Sequence, residues 1–451
     1  MQSLLINGED AALLTDLYEL TMAAAYWTNH LAGTATFEMY FRRMPEDRSY
    51  LIAAGLEQAL DYILNLRFTK KQLSWLGSLE AFRNIDPGFF DYLADFRFSG
   101  DVWAVPEGVP VFPLEPVIQI RAPLVEAQIL ETYLLTMLNT QTMIATKAAR
   151  VVDAARGKGV VDFGARRAHG PQASLLAARA AYIGGCLGTS NALAGYLMNI
   201  PVYGTAAHSY TMAFDSELEA FRAYQSVFPQ NTVLLLDTYD TVEAAKKVKL
   251  LGGAVQGVRL DSGDLVDLSK RVRAILDGDL LQEVKIFASG DLNEYKIAAL
   301  VQENAPIDFF GVGTELVTSY DEPALSGVYK LVEIEIDGRT EYRVKTSPGK
   351  PSYPGRKQVY RYKIADYYLS DIVALAGESP PDGAPLLKPQ IQNGMLVEKN
   401  PALPEIRNTA HAEMQMLPPP LHALRGTAEY TVKFSDRLTQ EMERAEKRIH
   451  K

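Results

Sequence analysis

The feature that most constrains this chain is a rhythm beginning near residue 158. From there a short apolar run and a helical stretch recur roughly every 20 to 30 residues, the spacing of βα units. The runs end in Val161-Asp-Phe-Gly-Ala-Arg166-Arg167, Cys186-Leu-Gly-Thr-Ser190 and Val202-Tyr-Gly-Thr-Ala-Ala-His208. Val233-Leu-Leu-Leu-Asp237, Val258-Arg-Leu-Asp261-Ser-Gly-Asp264, Ile286-Phe-Ala-Ser289-Gly290-Asp291 and Phe309-Phe-Gly311-Val-Gly313-Thr314 follow. Helical stretches at 172–183, 241–251, 266–276 and 294–303 lie between them. A less regular strand around Val328–Val332 completes eight, so the expected fold class is α/β with a (β/α) barrel.

In such a barrel the C-terminal ends of the strands open onto one face, so these motifs converge. Ser289-Gly290 and Gly311-Val-Gly313-Thr314 offer backbone N–H groups to a phosphate. Asp261, Asp264 and Asp291 can hold a hard cation such as Mg²⁺. Arg166, Arg167 and Arg259 can fork onto a carboxylate or phosphate. His208 stands where a strand gives way to a loop and can carry a proton or act as a nucleophile. Each motif also has a plain structural reading: a tight turn, a solvated arginine pair, a structural histidine, or Asp264 capping the helix that starts near Leu265. Their convergence points to a phosphate-bearing anionic substrate.

Composition narrows the class. Of 451 residues, 47% are hydrophobic and 22% charged, a globular balance. A net charge of −10 argues against nucleic acid and membrane surfaces as partners, so an anionic ligand needs a local basic cluster. The single cysteine, Cys186, excludes a disulfide framework and fits a reducing cytoplasm. The N-terminus has no secretory signal pattern and no apolar run is long enough to span a bilayer.

Outside the repeat the pattern differs. Residues 13–28 read as a helix capped by Thr15 or Asp16, with Tyr18 off its apolar stripe. Ala35–Phe41 alternates like a strand and ends in Arg42-Arg43. The Pro- and Val-rich stretch 98–121 suits edge strands or a small sandwich. Asp337-Gly338 between two strand patterns signals a hairpin, and a basic turn-rich stretch follows to Lys357. The charged helix 433–451 reads as a solvated surface element.

Several segments together are similar to the nicotinate phosphoribosyltransferases, of the type II phosphoribosyltransferase family. They are Leu14-Thr-Asp-Leu-Tyr18-Glu-Leu-Thr-Met, Phe37-Glu-Met-Tyr-Phe-Arg-Arg, Asp162-Phe-Gly-Ala-Arg-Arg and Gly188-Thr-Ser-Asn-Ala-Leu-Ala. Gly204-Thr-Ala-Ala-His-Ser, Gly257-Val-Arg-Leu-Asp-Ser-Gly-Asp-Leu and Gly311-Val-Gly-Thr-Glu-Leu-Val-Thr continue the series in family order, from residue 14 to about 361.

The resemblance implies that nicotinate displaces pyrophosphate from 5-phosphoribosyl 1-pyrophosphate, giving nicotinate mononucleotide in NAD salvage. It implies ATP as co-substrate, phosphorylation of His208, and Mg²⁺. It implies an irregular (β/α) barrel over 123–345, and a second α/β domain of 1–122 completed by 346–451. It also implies a homodimer with shared active sites. In that picture Phe163 and the neighbour's Tyr18 sandwich the pyridine, while Arg259 and Thr205 hold the carboxylate. His208, Asp261 and Asp291 are the catalytic set, and Asp261, Asp264 and Asp291 the metal set. Arg166, Ser289, Gly290, Gly311, Gly313 and Thr314 bind substrate, and Arg42, Arg43, Lys330, Lys350 and Lys357 neutralise pyrophosphate or ATP.

The nicotinamide-specific relative carries an aspartate where this chain has Ser190, so nicotinate is the expected base. A sugar-phosphate aldolase would want an interior lysine, and none lies at the strand ends before Lys330. A non-catalytic nucleotide-binding protein would not need His208 and the carboxylates on one face.

Overall fold

In the computed structural model, which describes residues 6, 8–252, 255–345, 352–426 and 428–449, the βα rhythm folds into a six-stranded parallel sheet. The strands run in the order 188–189, 159–162, 309–312, 285–288, 257–260, 233–235. Every pairing in it is parallel. Strand alternation explains its core: Val258, Leu260, Ile286, Ala288, Phe310 and Val312 are fully buried, while Arg259 points to the other face. Five of the helices in this region are started by a side-chain cap. Asn191, Ser216, Asp240, Asp264 and Asn293 all accept N–H groups of the first turn. Cap and strand end thus fix both limits of the loops that follow strands 188–189, 233–235, 257–260 and 285–288.

This sheet belongs to a unit of residues 144–323. The Val202 strand contributes only one parallel bridge, to Thr189. Among the described residues nothing pairs the 188–189 edge with the 233–235 edge, so the sheet is parallel without closing into a barrel. The expected eighth strand is a correction. Residues 327–336 pair antiparallel with 34–41 in the other unit, because their partner there is a long buried strand.

That other unit comprises 1–143 and 324–451. Its main sheet has seven strands, ordered 339–342, 327–336, 34–41, 116–123, 101–104, 388–392, 395–396. Strand 116–123 is internal, paired antiparallel on both sides, where edge strands or a small sandwich were expected. Its prolines, Pro116 and Pro123, stand at its two ends and so remove no donor from the middle of the ladder. The hairpin at Asp337-Gly338 forms as expected, with positive φ at both turn residues (50° and 73°). The C-terminal helix Asp436–Ile449 is charged, yet it is anchored: Leu438 is fully buried against Val359, Val373 and Leu375. Among the described residues no helix is long and apolar enough to cross a membrane.

Candidate active site

Within the 144–323 unit the strand ends enclose a cavity of about 510 Å³. Its walls are Phe163, Arg166, Arg167, Ser190, Thr205, Arg259, Asp261, Ser289-Gly290-Asp291, Gly311, Gly313 and Thr314, with Ala165 and Gly204. Most of the expected substrate residues therefore meet in one place. Both arginines of the 166–167 pair line it, which the sequence left open.

The loops approach closely because their glycines allow it. Gly290 has φ 101°, and a Cβ on it would fall 2.1 Å from the carbonyl oxygen of Asp261. Asp291 follows at φ 47°, completing the sharp turn. A Cβ on Gly311 would sit 2.4 Å from the Phe163 ring, so this glycine lets the aromatic lie against the strand. Asp162 braces the same corner from beneath. Its buried carboxylate accepts the Gly164 N–H and the Thr189 hydroxyl, each at 2.7 Å. Burial raises its pKa, and those two hydrogen bonds pull the other way.

Arg259 is the pivot of the wall. Its guanidinium donates to the Thr205 hydroxyl, pairs with Asp261 at 3.2 Å, and has its carbon 6.0 Å from the Phe163 ring centroid. Asp261 also accepts the Ser289 hydroxyl, and its other oxygen lies 3.9 Å from His208 Nε2. Burial acts to raise the Asp261 carboxyl, but Ser289, Arg259 and His208 outweigh it and hold it below the ordinary carboxylate value. It is an anion at neutral pH.

His208 opens the short helix His208–Met212 and is part-exposed beside this wall. Its Nδ1 lies 3.4 Å from the Thr238 hydroxyl. Sequence reading passed over Thr238 and its neighbour Asp237. The Asp237 carboxylate accepts the Ser262 hydroxyl at 2.5 Å and the Asp261 N–H at 3.3 Å, so it sets the shape of the loop after Arg259. The signal was present, since Val233-Leu-Leu-Leu-Asp237 ends like the other strands.

The three-aspartate metal set needs correcting. Asp264 caps the next helix, one oxygen of its carboxylate accepting the N–H groups of both Val266 and Asp267, and it does not line the cavity. Among the described residues no cluster of three or more His, Cys, Asp or Glu could hold a metal ion. Asp261 and Asp291 remain on the wall. Two carboxylates facing an open cavity suit a Mg²⁺ that keeps most of its other ligands as water and phosphate.

The other expected residues belong to the first unit. Tyr18 is 45% exposed and hydrogen-bonded to Glu131; burial, Glu131 and Glu19 push its phenol upward. Arg42 bonds the Tyr40 phenol, and the Arg43 N–H donates to Ser326 Oγ at 3.2 Å. Lys330 is half-buried, and burial lowers its pKa; Glu131 opposes this, while Arg42 and Lys345 add to it. Arg42 and Lys345 thus lie close enough to Lys330 to repel its charge. Lys357 is a correction: it is buried, and its ammonium is fully used by Glu38 (2.7 Å) and the carbonyls of Tyr353 (2.8 Å) and Gly355 (2.7 Å). It has no donor left for a phosphate. Lys350 lies outside the described residues.

Comparison with known proteins agrees along the whole length. Residues 13–139 match the family model of the nicotinate phosphoribosyltransferase N-terminal domain, and 382–442 that of its C-terminal domain. Residues 144–321 match the quinolinate phosphoribosyl transferase C-terminal domain. A nicotinate phosphoribosyltransferase of Mycobacterium tuberculosis is 48% identical over 447 residues, spanning 97% of this chain and 95% of its own. The chain belongs to the nicotinate phosphoribosyltransferase family. A Bacillus subtilis family member is 42% identical over 83% of this chain and 78% of its own. The crystal structure of human nicotinic acid phosphoribosyltransferase superposes with a TM-score of 0.84 at 30% identity, covering 95% of this chain and 99% of that one. Nicotinate-nucleotide pyrophosphorylase from Pyrococcus furiosus gives 0.76 at 27% identity, with 92% and 98% covered.

Proposed function

We propose that this chain transfers the phosphoribosyl group of 5-phosphoribosyl 1-pyrophosphate to nicotinate in the cytoplasm, releasing pyrophosphate and forming nicotinate mononucleotide. The observation that carries the reading is the Arg259 guanidinium, held by Thr205 and Asp261 beside the Phe163 ring in a cavity floored by glycine loops. A planar aromatic acid matches it: the carboxylate meets the guanidinium and the ring lies against Phe163. The relatives reported above are named for the same base. Ser190 brings no negative charge to the wall, which favours nicotinate over nicotinamide.

The glycine loops at 289–291 and 311–314 would receive the phosphate groups, with Arg166 and Arg167 supplying charge. As the bond from ribose C1 to pyrophosphate breaks, positive charge develops on the sugar and negative charge on the leaving group, so cations near the latter lower the barrier. Mg²⁺ carried by the pyrophosphate and held by Asp261 and Asp291 would share that task.

His208 accepts a phosphoryl group from ATP in this reading, and its later hydrolysis drives product formation. Its position, with Nε2 3.9 Å from the Asp261 carboxylate at the edge of the cavity, supports that role. The parallel sheet is read as part of an irregular barrel. Two copies are read as pairing, with Tyr18 of the partner subunit completing the base site. Exposed Leu193, Tyr196, Leu197, Val202 and Tyr203 offer an apolar face for that pairing.

The test is to incubate the protein with nicotinate, 5-phosphoribosyl 1-pyrophosphate, Mg²⁺ and ATP, then assay nicotinate mononucleotide, pyrophosphate and acid-labile phosphate on the protein. Absence of nicotinate mononucleotide overturns the reading. Absence of protein-bound phosphate overturns only the part given to His208.

A further inference from the structure

Behind the two glycine loops lies a group of charges that the reaction as described does not use. Lys147, on the helix Glu131–Ala154, is fully buried, and so is the carboxylate of Glu294, 2.7 Å from its ammonium. Asp321 stands 2.8 Å from the same ammonium and Glu315 4.0 Å. Arg150, one turn along, reaches the other oxygen of Glu294 at 3.1 Å and the Tyr295 phenol at 3.4 Å.

The carboxylates come from two places only. Glu294 is the first residue of the helix that follows Ser289-Gly290-Asp291. Glu315 follows Gly311-Val-Gly313-Thr314 directly, and Asp321 lies six residues beyond it, past the short helix Thr314–Val317. One ammonium therefore serves as the shared counter-charge of both pocket loops. Buried ion pairs of this kind contribute little net stability, because desolvation offsets their attraction, and apolar residues of similar volume often serve as well. What such a pair does supply is direction: the ammonium accepts neighbours only at short distance and in defined orientations.

We propose that Lys147 is a positioning residue for the phosphate side of the pocket, its buried ammonium fixing the spacing between loops 289–291 and 311–314. This rests on the reading that those loops hold the phosphates of 5-phosphoribosyl 1-pyrophosphate. Among the contacts described, the cluster reaches the nicotinate wall of Arg259, Thr205 and Phe163 only through the loops themselves, by Gly311 at the Phe163 ring and Ser289 at Asp261, so its loss weighs more on 5-phosphoribosyl 1-pyrophosphate than on nicotinate.

The experiment compares the full-length wild type with Lys147→Met, Lys147→Arg and the charge-balanced Lys147→Met/Asp321→Asn, in which Glu294 keeps Arg150. The KM for 5-phosphoribosyl 1-pyrophosphate rises about tenfold or more in both Met variants. The KM for nicotinate stays within about twofold, and Lys147→Arg recovers part of the loss. A wild-type KM for 5-phosphoribosyl 1-pyrophosphate in the double variant overturns the proposal, as does a proportionate rise for both substrates. If neither Met variant folds, Lys147 serves the fold alone and the proposal falls. Failure of the wild type to form nicotinate mononucleotide is the separate failure of the functional reading, and removes this proposal with it.

Discussion

Arg259 and Asp261, two positions apart at the end of one strand, meet at 3.2 Å while the same guanidinium donates to Thr205. The carboxylate and the hydroxyl hold the two terminal nitrogens of the guanidinium, whose carbon lies 6.0 Å from the Phe163 ring centroid. An Arg259→Lys enzyme keeps the charge but loses the planar fork. Its KM for nicotinate is expected to rise about ten- to a hundredfold, the worth of one charge-assisted hydrogen bond, with a smaller change for 5-phosphoribosyl 1-pyrophosphate. Steady-state kinetics with each substrate varied in turn check this. Equal rises for both would show that Arg259 serves the fold of the wall, not the base.

Asp261 gives a pH prediction. Burial raises its pKa, but Ser289, Arg259 and His208 together hold the folded value below the ordinary 3.8. A carboxyl depressed in the fold contributes stability that is complete above the unfolded pKa and is lost as pH falls through the folded one. The melting-temperature gap between wild type and Asp261→Asn is thus widest above about pH 5 and closes in stronger acid. Thermal scans from pH 7 down to pH 3 would measure it. A gap that stays constant contradicts the assignment.

His208 is expected to be separable from the transfer chemistry. With its imidazole 3.9 Å from Asp261 and outside the cavity wall, His208→Ala leaves the base and phosphate contacts in place. Slow transfer without ATP is retained, and the stimulation by ATP disappears. Initial rates with and without ATP decide it, and undiminished stimulation would remove His208 from the ATP step.

Much of this site was legible because strand ends carry local signals. A glycine that must let Asp261 or Phe163 approach, as Gly290 and Gly311 do, leaves its mark at the position where it acts. Charges were harder to place. Lys357 looked like part of a basic phosphate-binding stretch, but its partner Glu38 sits far away in the chain on the first long strand. Lys147 and Glu294 are ordinary helix residues by spacing, and only the packing shows that no solvent reaches them. Asp264 went wrong by a subtler route. An acidic residue before a helix serves equally as cap or ligand, and the choice depends on which way its carboxylate turns. Sheet closure is likewise invisible locally, since Val202 has the pattern of a strand but pairs at a single bridge.

Base choice is expected to turn on Ser190, an uncharged residue of the cavity wall. An aspartate there can accept from a carboxamide NH₂ and repels a carboxylate. Ser190→Asp is expected to lower kcat/KM for nicotinate by about tenfold or more while raising it for nicotinamide. Competition between the two bases, with both mononucleotides quantified, tests this. An unchanged product ratio would mean that residue 190 does not face the substituent.

Lys357 is expected to govern stability instead of catalysis. Burial drives the Glu38 carboxyl upward, and Lys357 counters this at 2.7 Å while Gln119 donates to the other oxygen at 2.6 Å. Lys357→Met leaves that carboxylate buried with no counter-charge, at a cost of about 3–5 kcal/mol. Without the lysine, Glu38 takes up a proton in the fold, so its folded pKa lies above the unfolded one. The penalty is then small in acid, where both states are protonated, and grows as pH rises past the unfolded value. Denaturant titrations of Lys357→Met at pH 5 and pH 8 should show the larger loss at pH 8. Glu38→Gln/Lys357→Met removes both charges and recovers most of the stability, with kcat/KM for 5-phosphoribosyl 1-pyrophosphate within about threefold of wild type. A double variant that is stable but unable to use this substrate would return Lys357 to the phosphate site.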